Sequence, residues 1–297
     1  MSRCGHVALA GRPNVGKSTL MNHLLGVKLS ITSRKPQTTR HALIGILNRE
    51  DAQVIFVDTP GIHVPRRALN RYMVGQAVGS LTGVDLAVML IEASGWQAGD
   101  DVVLDRIAKA DVPCLCAINK IDRLRAKDRL LPLIDDIRHR HDFEAIVPVS
   151  ALRNAALDVL ATEIIERLPE GPPLYGDDAL TDRPLEFLIG EIVREKAMRR
   201  LGAELPHQTA VTVEDITRKP GCADVHAVIY VERASQKRIA IGKGGTMLKS
   251  IGEDARKDIE ALLAEKAMLR LWVKVAPHWS ERAGTLTRLG YRAPPKG

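Results

Sequence analysis

Aromatic residues are scarce. Phe, Trp and Tyr together make up 3% of the 297 residues. Broad aromatic platforms for stacking bases are therefore excluded, and aliphatic side chains must fill the core. Cysteine is scarce too: Cys4, Cys114, Cys116 and Cys222 are the only four. The Cys114/Cys116 pair has no second pair to complete a zinc site, and no disulfide framework is implied. Reduced, buried thiols are the expectation, which suits a cytosolic protein. No run of 18 apolar residues exists, so no spanning helix is expected. The N-terminus carries no signal-peptide pattern.

What remains is an ordinary globular composition. Hydrophobic residues make up 45% and charged residues 27%, and the length suits two domains. The net charge of +7 is uneven. Residues 1–180 hold 22 Lys and Arg against 21 Asp and Glu, whereas residues 181–297 hold 21 against 15. A basic C-terminal part is the footprint of a nucleic acid or of an anionic membrane surface, though an ordinary basic surface looks the same.

Short apolar runs at 6–11, 52–59, 85–92, 112–120 and 145–150 read as buried strands. Helix-like stretches near 17–25, 69–80, 100–109, 126–140 and 154–168 separate them. Continuous apolar strands alternating with helices imply an α/β fold, a mostly parallel sheet covered on both faces. The run 41–49 is expected at the antiparallel edge. Prolines, glycines and aspartates then cluster across 169–184 and mark a linker. Beyond it come a helix at 184–202, alternating strands at 209–218 and 224–233, two helices around a glycine turn, and a strand at 269–276. That order, α-β-β-α-α-β, is a small α+β domain. The expected division is a nucleotide domain over 1–170, a linker over 171–184 and a second domain over 185–297.

Two glycine-rich loops carry the chemistry. The first, GRPNVGKS at 11–18, follows a strand and opens a helix. In that setting the amides of Gly11, Arg12, Pro13, Asn14, Val15 and Gly16, less the one proline lacks, surround phosphates, with Thr19 just inside the helix. Lys17 would bridge the β- and γ-phosphates and Ser18 would ligate Mg²⁺. After the 52–59 strand comes DTPG. Asp58 there can hold the same ion and Gly61 can offer its amide to the γ-phosphate, with Thr59 and Pro60 between them. NKID at 119–122 selects the base. The Asp122 carboxylate accepts both hydrogens of the guanine edge, whereas adenine would leave it unpaired. Asn119 would reach the purine and tie loops together, and Lys120 would lie along the ring. Ser150, Ala151 and Leu152 would bring a backbone amide near the guanine oxygen.

These stretches resemble the Era family of translation-factor-related GTPases, and the similarity covers nearly the whole chain. SRKPQTTRHALIGI (33–46) is similar to that family's first switch and DTPGIH (58–63) to its second. The resemblance implies a P-loop GTPase domain followed by a type II KH domain. It also implies that Thr38 or Thr39 completes the Mg²⁺ shell over the γ-phosphate, the two being left open. Ile62 stands where many small GTPases place a water-orienting glutamine, so slow intrinsic turnover is expected. Related GTPases compensate with K⁺ held partly by a loop asparagine. Asn14 occupies that place, with a loop-stabilising role as the alternative.

The second loop, IGKGG, contains Gly242, Lys243, Gly244 and Gly245. Lys237, Arg238, Ile241 and Lys249 lie close by. Such a turn between two helices lets backbone approach the phosphates of single-stranded RNA in KH domains. Ile239 and Ile241 are expected mainly in the core, as is Trp272, with Trp279 packing at the domain's end. The family resemblance implies 16S rRNA near its 3′ end and the assembling 30S subunit as partners. Two alternatives stay open: an RNA-binding scaffold with nucleotide as structural ligand, and a GTPase peripheral to the inner membrane.

Overall fold

The computed structural model describes every residue except Met1, 34–37, 62–67, 125, 203–204, 206–208, 282, 290 and 292–297. Part of the first switch stretch, together with Ile62 and His63 of the second, therefore lies outside the described residues. Contacts divide the chain into two units, one essentially Met1–Pro65 with Arg71–Asp182, the other Arg183–Ala293 with Arg66–Asn70.

The first unit runs β1 (Arg3–Gly11), α1 (Lys17–Leu25), β2 (Leu43–Arg49), β3 (Ala52–Asp58), all but the first turn of α2 (Ala68–Gly79), β4 (Leu86–Glu92) and α3 (Ala98–Ala110). It continues with β5 (Cys114–Asn119), two short 3₁₀ turns, α4 (Leu130–Arg138), β6 (Ala145–Pro148) and α5 (Leu157–Glu166). The sheet order is β2-β3-β1-β4-β5-β6. Every pairing is parallel except β2 with β3, so β2 is an antiparallel edge strand. β3 and β5 are buried along their whole length, as strands covered on both faces must be. Cys114 and Cys116 lie two residues apart, share a face of β5 and join one apolar cluster. Burial pushes the Cys114 thiol up to about 12 and raises Cys116 well above its ordinary value, which disfavours the reactive thiolate at both. Parallel pairing brings the C-terminal ends of β1, β3, β4, β5 and β6 to one edge of the sheet, which places the site.

The linker is less free than its composition suggests. Ile46 N–H donates to Leu180 O at 2.9 Å, and the amides of Leu174 and Tyr175 both donate to Gln53 Oε1. Gln53 Nε2 donates in turn to Tyr175 O at 2.9 Å, and Asn48 Nδ2 to Asp177 O. Residues 174–180 thus run along the β2 edge and satisfy polar groups that an edge strand would otherwise expose.

The second unit is α6 (Leu185–Arg200), β7 (Ala210–Lys219), β8 (Cys222–Val231), α7 (Ala234–Ile241), α8 (Thr246–Leu263), β9 (Lys266–Val275) and α9 (Ala283–Arg288). β8 pairs antiparallel with β7 and parallel with β9. Side chains from α6, α7 and α8, among them Ile189, Val193, Ala240 and Ile251, pack on Val225, Ile229 and Val273. Two expectations are corrected here. Trp272 is 44% exposed, and its ring meets His226 edge-on at 5.4 Å. Strand alternation sends Val273 into the core and Trp272 to the opposite face. Ile239 is 53% exposed, because on α7 it is Ala240 that faces the core, with Ile241 partly buried against it. Trp279 is fully buried and stacks on Tyr291. Among the described residues no helix is long and apolar enough to cross a membrane.

Candidate functional site

The first loop wraps the start of α1. Lys17 is buried, and its Nζ donates to Gly11 O at 2.9 Å and Arg12 O at 3.1 Å. Burial lowers this ammonium to about 8, with the Asp58 carboxylate opposing the shift. A desolvated cation inside a ring of backbone groups is a receptor for an anion. Gly16 sits at φ 108°, where a Cβ would lie 2.3 Å from Asn119 Nδ2. Glycine is required because the Asn119 amide crosses there to donate to Val15 O at 2.8 Å. Arg12 turns its guanidinium away, to Asp100 Oδ1 at 2.7 Å and Gln97 Oε1 at 2.9 Å on the adjoining helix. Its contribution to the loop is therefore backbone.

Asp58, at the end of β3, is fully buried. Its Oδ2 accepts from Ser18 Oγ at 2.7 Å and from Ser30 Oγ at 2.7 Å. Its Oδ1 is buried without a protein partner. Burial pushes the Asp58 carboxyl above the usual carboxylate range, while Lys17 and the hydroxyls of Ser18, Ser30 and Thr39 pull it down. Thr39 Oγ1 lies 2.9 Å from Ser18 Oγ, and Thr38 is buried beside it in the chain. Ser18, Thr39 and Asp58 thus share one corner. Two hydroxyl oxygens and an orphaned carboxylate oxygen form the hard-oxygen donor set that suits Mg²⁺. Thr59 Oγ1 donates to Leu9 O at 2.8 Å, tying β3 to β1 rather than facing the loop. Gly61 packs on Pro13, where a Cβ would stand 2.7 Å from the proline nitrogen.

The base end is built from Asn119 outward. Asn119 is buried, and its Oδ1 accepts from the amides of Lys120 at 2.8 Å and Ala151 at 3.0 Å. One side chain therefore joins three loops. Lys120 Nζ donates to Asn14 O at 2.6 Å and pairs with Glu92 Oε1. Asp122 is exposed, with Oδ1 accepting from Ser150 Oγ. Leu152, 64% exposed, follows Ala151 at the rim. Asn14 sits at φ 67°, a conformation asparagine tolerates better than most residues. Ser30, Glu92, Gln97 and Asp100 carried no motif in the sequence. Their roles come from contacts 28 to 88 residues distant in the chain.

In the second unit, α7 ends at Gly242 with φ 77° and ψ 171°, and Gly244 and Gly245 have φ 59° and 80°. A Cβ on Gly242 would lie 2.7 Å from Met247 Cβ, so the turn itself depends on this glycine. A Cβ added at Gly244 would meet nothing within 4 Å. Lys243, Gly244, Arg238 and Lys249 are exposed and Lys237 is partly so. Thr246 Oγ1 donates to Lys243 O at 3.0 Å and braces the turn.

A strand–GxxxxGKS–helix unit with a guanine-type NKxD loop, followed by a KH fold, defines a P-loop GTPase domain joined to a KH domain. The comparisons agree with that class. Residues 6–120 match the family described as "50S ribosome-binding GTPase", and residues 204–280 match the KH domain family. GTPase Era from Pseudomonas aeruginosa is 48% identical over 291 residues, covering 98% of this chain and 95% of that protein. GTPase Era from Azotobacter vinelandii is 48% identical, with 98% and 97% covered. Among solved structures, Era in complex with MgGDPNP and nucleotides 1506–1542 of 16S ribosomal RNA superposes with a TM-score of 0.95 at 42% identity, covering 98% of this chain and 99% of that one. An Aquifex aeolicus Era variant bound to GDP and AlF₄⁻ gives 0.94 at 43% identity, covering 97% and 99%. The chain belongs to the GTPase Era family.

Proposed function

We propose that this chain binds and hydrolyses GTP in its first domain and binds 16S rRNA near the 3′ end through its KH domain during assembly of the 30S subunit. The observation that carries the reading is the convergence of Lys17, Asp58, Asn119 and Asp122 at one sheet edge, in a chain that also holds the GKGG turn. The small-subunit assignment rests on the 16S rRNA complex of the relative at 42% identity. The 50S wording belongs to the description of the matched GTPase family. The domain limits proposed are 1–170 and 185–297, with the linker between.

Each residue then has a task. Lys17 and the loop amides bind the β- and γ-phosphates, and Asp122 accepts the guanine ring and exocyclic N–H groups. Asn119 holds the base loops in register. Ser18, Thr39 and Asp58 fit Mg²⁺, and the orphaned Asp58 oxygen is the observation behind that fit. The bound ion supplies positive charge to the bridging phosphate oxygens. Gly61 offers its amide toward the γ-phosphate, and the 26–42 and 60–79 segments respond to its presence. Lys243 and the bare backbone of Gly244 and Gly245 hold the RNA chain, flanked by Lys237, Arg238 and Lys249.

Asn14 is proposed as a ligand of K⁺ that offsets charge in the transition state, since Ile62 supplies no water-orienting group. The side chain is exposed. Phosphate release measured in KCl and in NaCl tests this. Release is expected to be faster in potassium, and the Lys17→Ala variant should show none above background in either salt. Equal rates in both salts remove the potassium role. A wild type no faster than Lys17→Ala favours the RNA-binding scaffold instead. A role on assembling ribosomal particles would put the protein in the cytoplasm. The basic charge of residues 181–297 also suits peripheral contact with the anionic inner membrane, which vesicle flotation with and without RNA competitor would test.

A further inference from the structure

We propose that Ser30 is a positioning residue for Mg²⁺, acting through Asp58. The inference rests on the magnesium reading given above. The two hydroxyls within hydrogen-bond distance of Asp58, Ser18 Oγ and Ser30 Oγ, end on the same carboxylate oxygen at 2.7 Å each. The other oxygen, Oδ1, is left with its lone pairs unused inside a fully buried side chain. A buried polar oxygen ordinarily has a hydrogen-bond partner, so an orphaned one needs an explanation. Loading both hydroxyls on Oδ2 fixes the side-chain rotation and keeps Oδ1 available for a cation or for water bound to it. Ser18 alone does not fix that rotation, because its hydroxyl is itself a candidate ligand and lies 2.9 Å from Thr39 Oγ1. Ser30 is the donor with no other task in the site.

Ser30 is held rigidly enough to act this way. Its amide donates to Asn22 Oδ1 at 2.7 Å, the Leu29 amide donates to the same atom at 3.0 Å, and Asn22 Nδ2 donates to Ser30 O at 2.7 Å. Asn22 lies four residues after Ser18, on the same face of α1. The helix that presents Ser18 therefore also sets the backbone that presents Ser30, and the two hydroxyls meet one carboxylate oxygen. Ser30 itself is buried, so water does not replace its hydroxyl cheaply. Groups that orient a metal-side ligand without touching the metal typically affect metal affinity by about 10- to 100-fold.

The test is release of a fluorescent GDP from the intact chain, followed across a magnesium titration and again in EDTA. The Ser30→Ala variant is expected to need about tenfold more Mg²⁺ for half-maximal retention of GDP, while its release in EDTA matches the wild type. Ser30→Thr, which keeps the hydroxyl, should restore the wild-type curve and should fold even if the alanine variant does not. If Ser30→Ala accelerates release equally with and without Mg²⁺, the serine is only a tie between the segment after α1 and β3, and the proposal is overturned. A Ser30→Thr curve shifted like a loss of the hydroxyl also overturns it. If wild-type release ignores Mg²⁺, the magnesium reading fails first, and its failure is thereby told apart from that of the Ser30 assignment.

Discussion

Asp122→Asn is expected to weaken GTP binding by on the order of a hundredfold or more, and to make xanthosine triphosphate the better ligand. The guanine edge presents two N–H donors side by side. A carboxylate accepts both, and each charge-assisted bond contributes about 1.5–3 kcal/mol net. An amide accepts one and sets its own N–H against the other. Xanthine carries a carbonyl where guanine has its exocyclic amine, so the amide matches it. Asp122 is exposed, and asparagine keeps an oxygen to accept from Ser150 Oγ. Stability should therefore change little. Competition of GTP and XTP against a fluorescent GDP reads the effect. Unchanged GTP affinity would show that recognition of the base lies elsewhere.

Gly244→Asp is expected to reduce affinity for the 3′-terminal 16S rRNA about a hundredfold while leaving GTP hydrolysis without RNA intact. The two inner choices in the turn differ in kind. At Gly242 an added Cβ would strike Met247 at 2.7 Å, so a substitution there breaks the fold locally and says little about RNA. At Gly244 the space is open and φ is 59°, a conformation aspartate accepts at a cost of about 1 kcal/mol. The effect then comes from a carboxylate placed where phosphates must approach, beside Lys243. Filter binding over a salt series checks it. A variant that retains wild-type affinity would move the RNA contact off this turn.

Much of the nucleotide site was legible because each loop sits at the end of a buried parallel strand, where an apolar run stops and a few polar residues must do local work. Lys17, Asp58, Asn119 and Asp122 are all of this kind. The residues that escaped notice act at long range. Ser30 lies in an unremarkable stretch and matters only because folding brings it to Asp58. Gln53 interrupts the apolar β3 run without any motif, yet it is nearly fully buried and holds the 174–175 backbone. The linker's prolines and glycines suggested freedom. Their composition could not show that an edge strand needs partners and finds them in this segment. Trp272 was misplaced because a large aromatic on a strand is usually core, whereas the alternation with Val273 decides its face.

The most direct measurement of the switch is the affinity of one 3′-terminal 16S rRNA oligonucleotide for the same protein sample loaded with MgGDPNP and with MgGDP. A nucleotide shifts an equilibrium only through differential interaction, so a clear preference for the GDPNP-loaded form is predicted. Indistinguishable affinities in the two states would contradict a γ-phosphate-driven RNA switch.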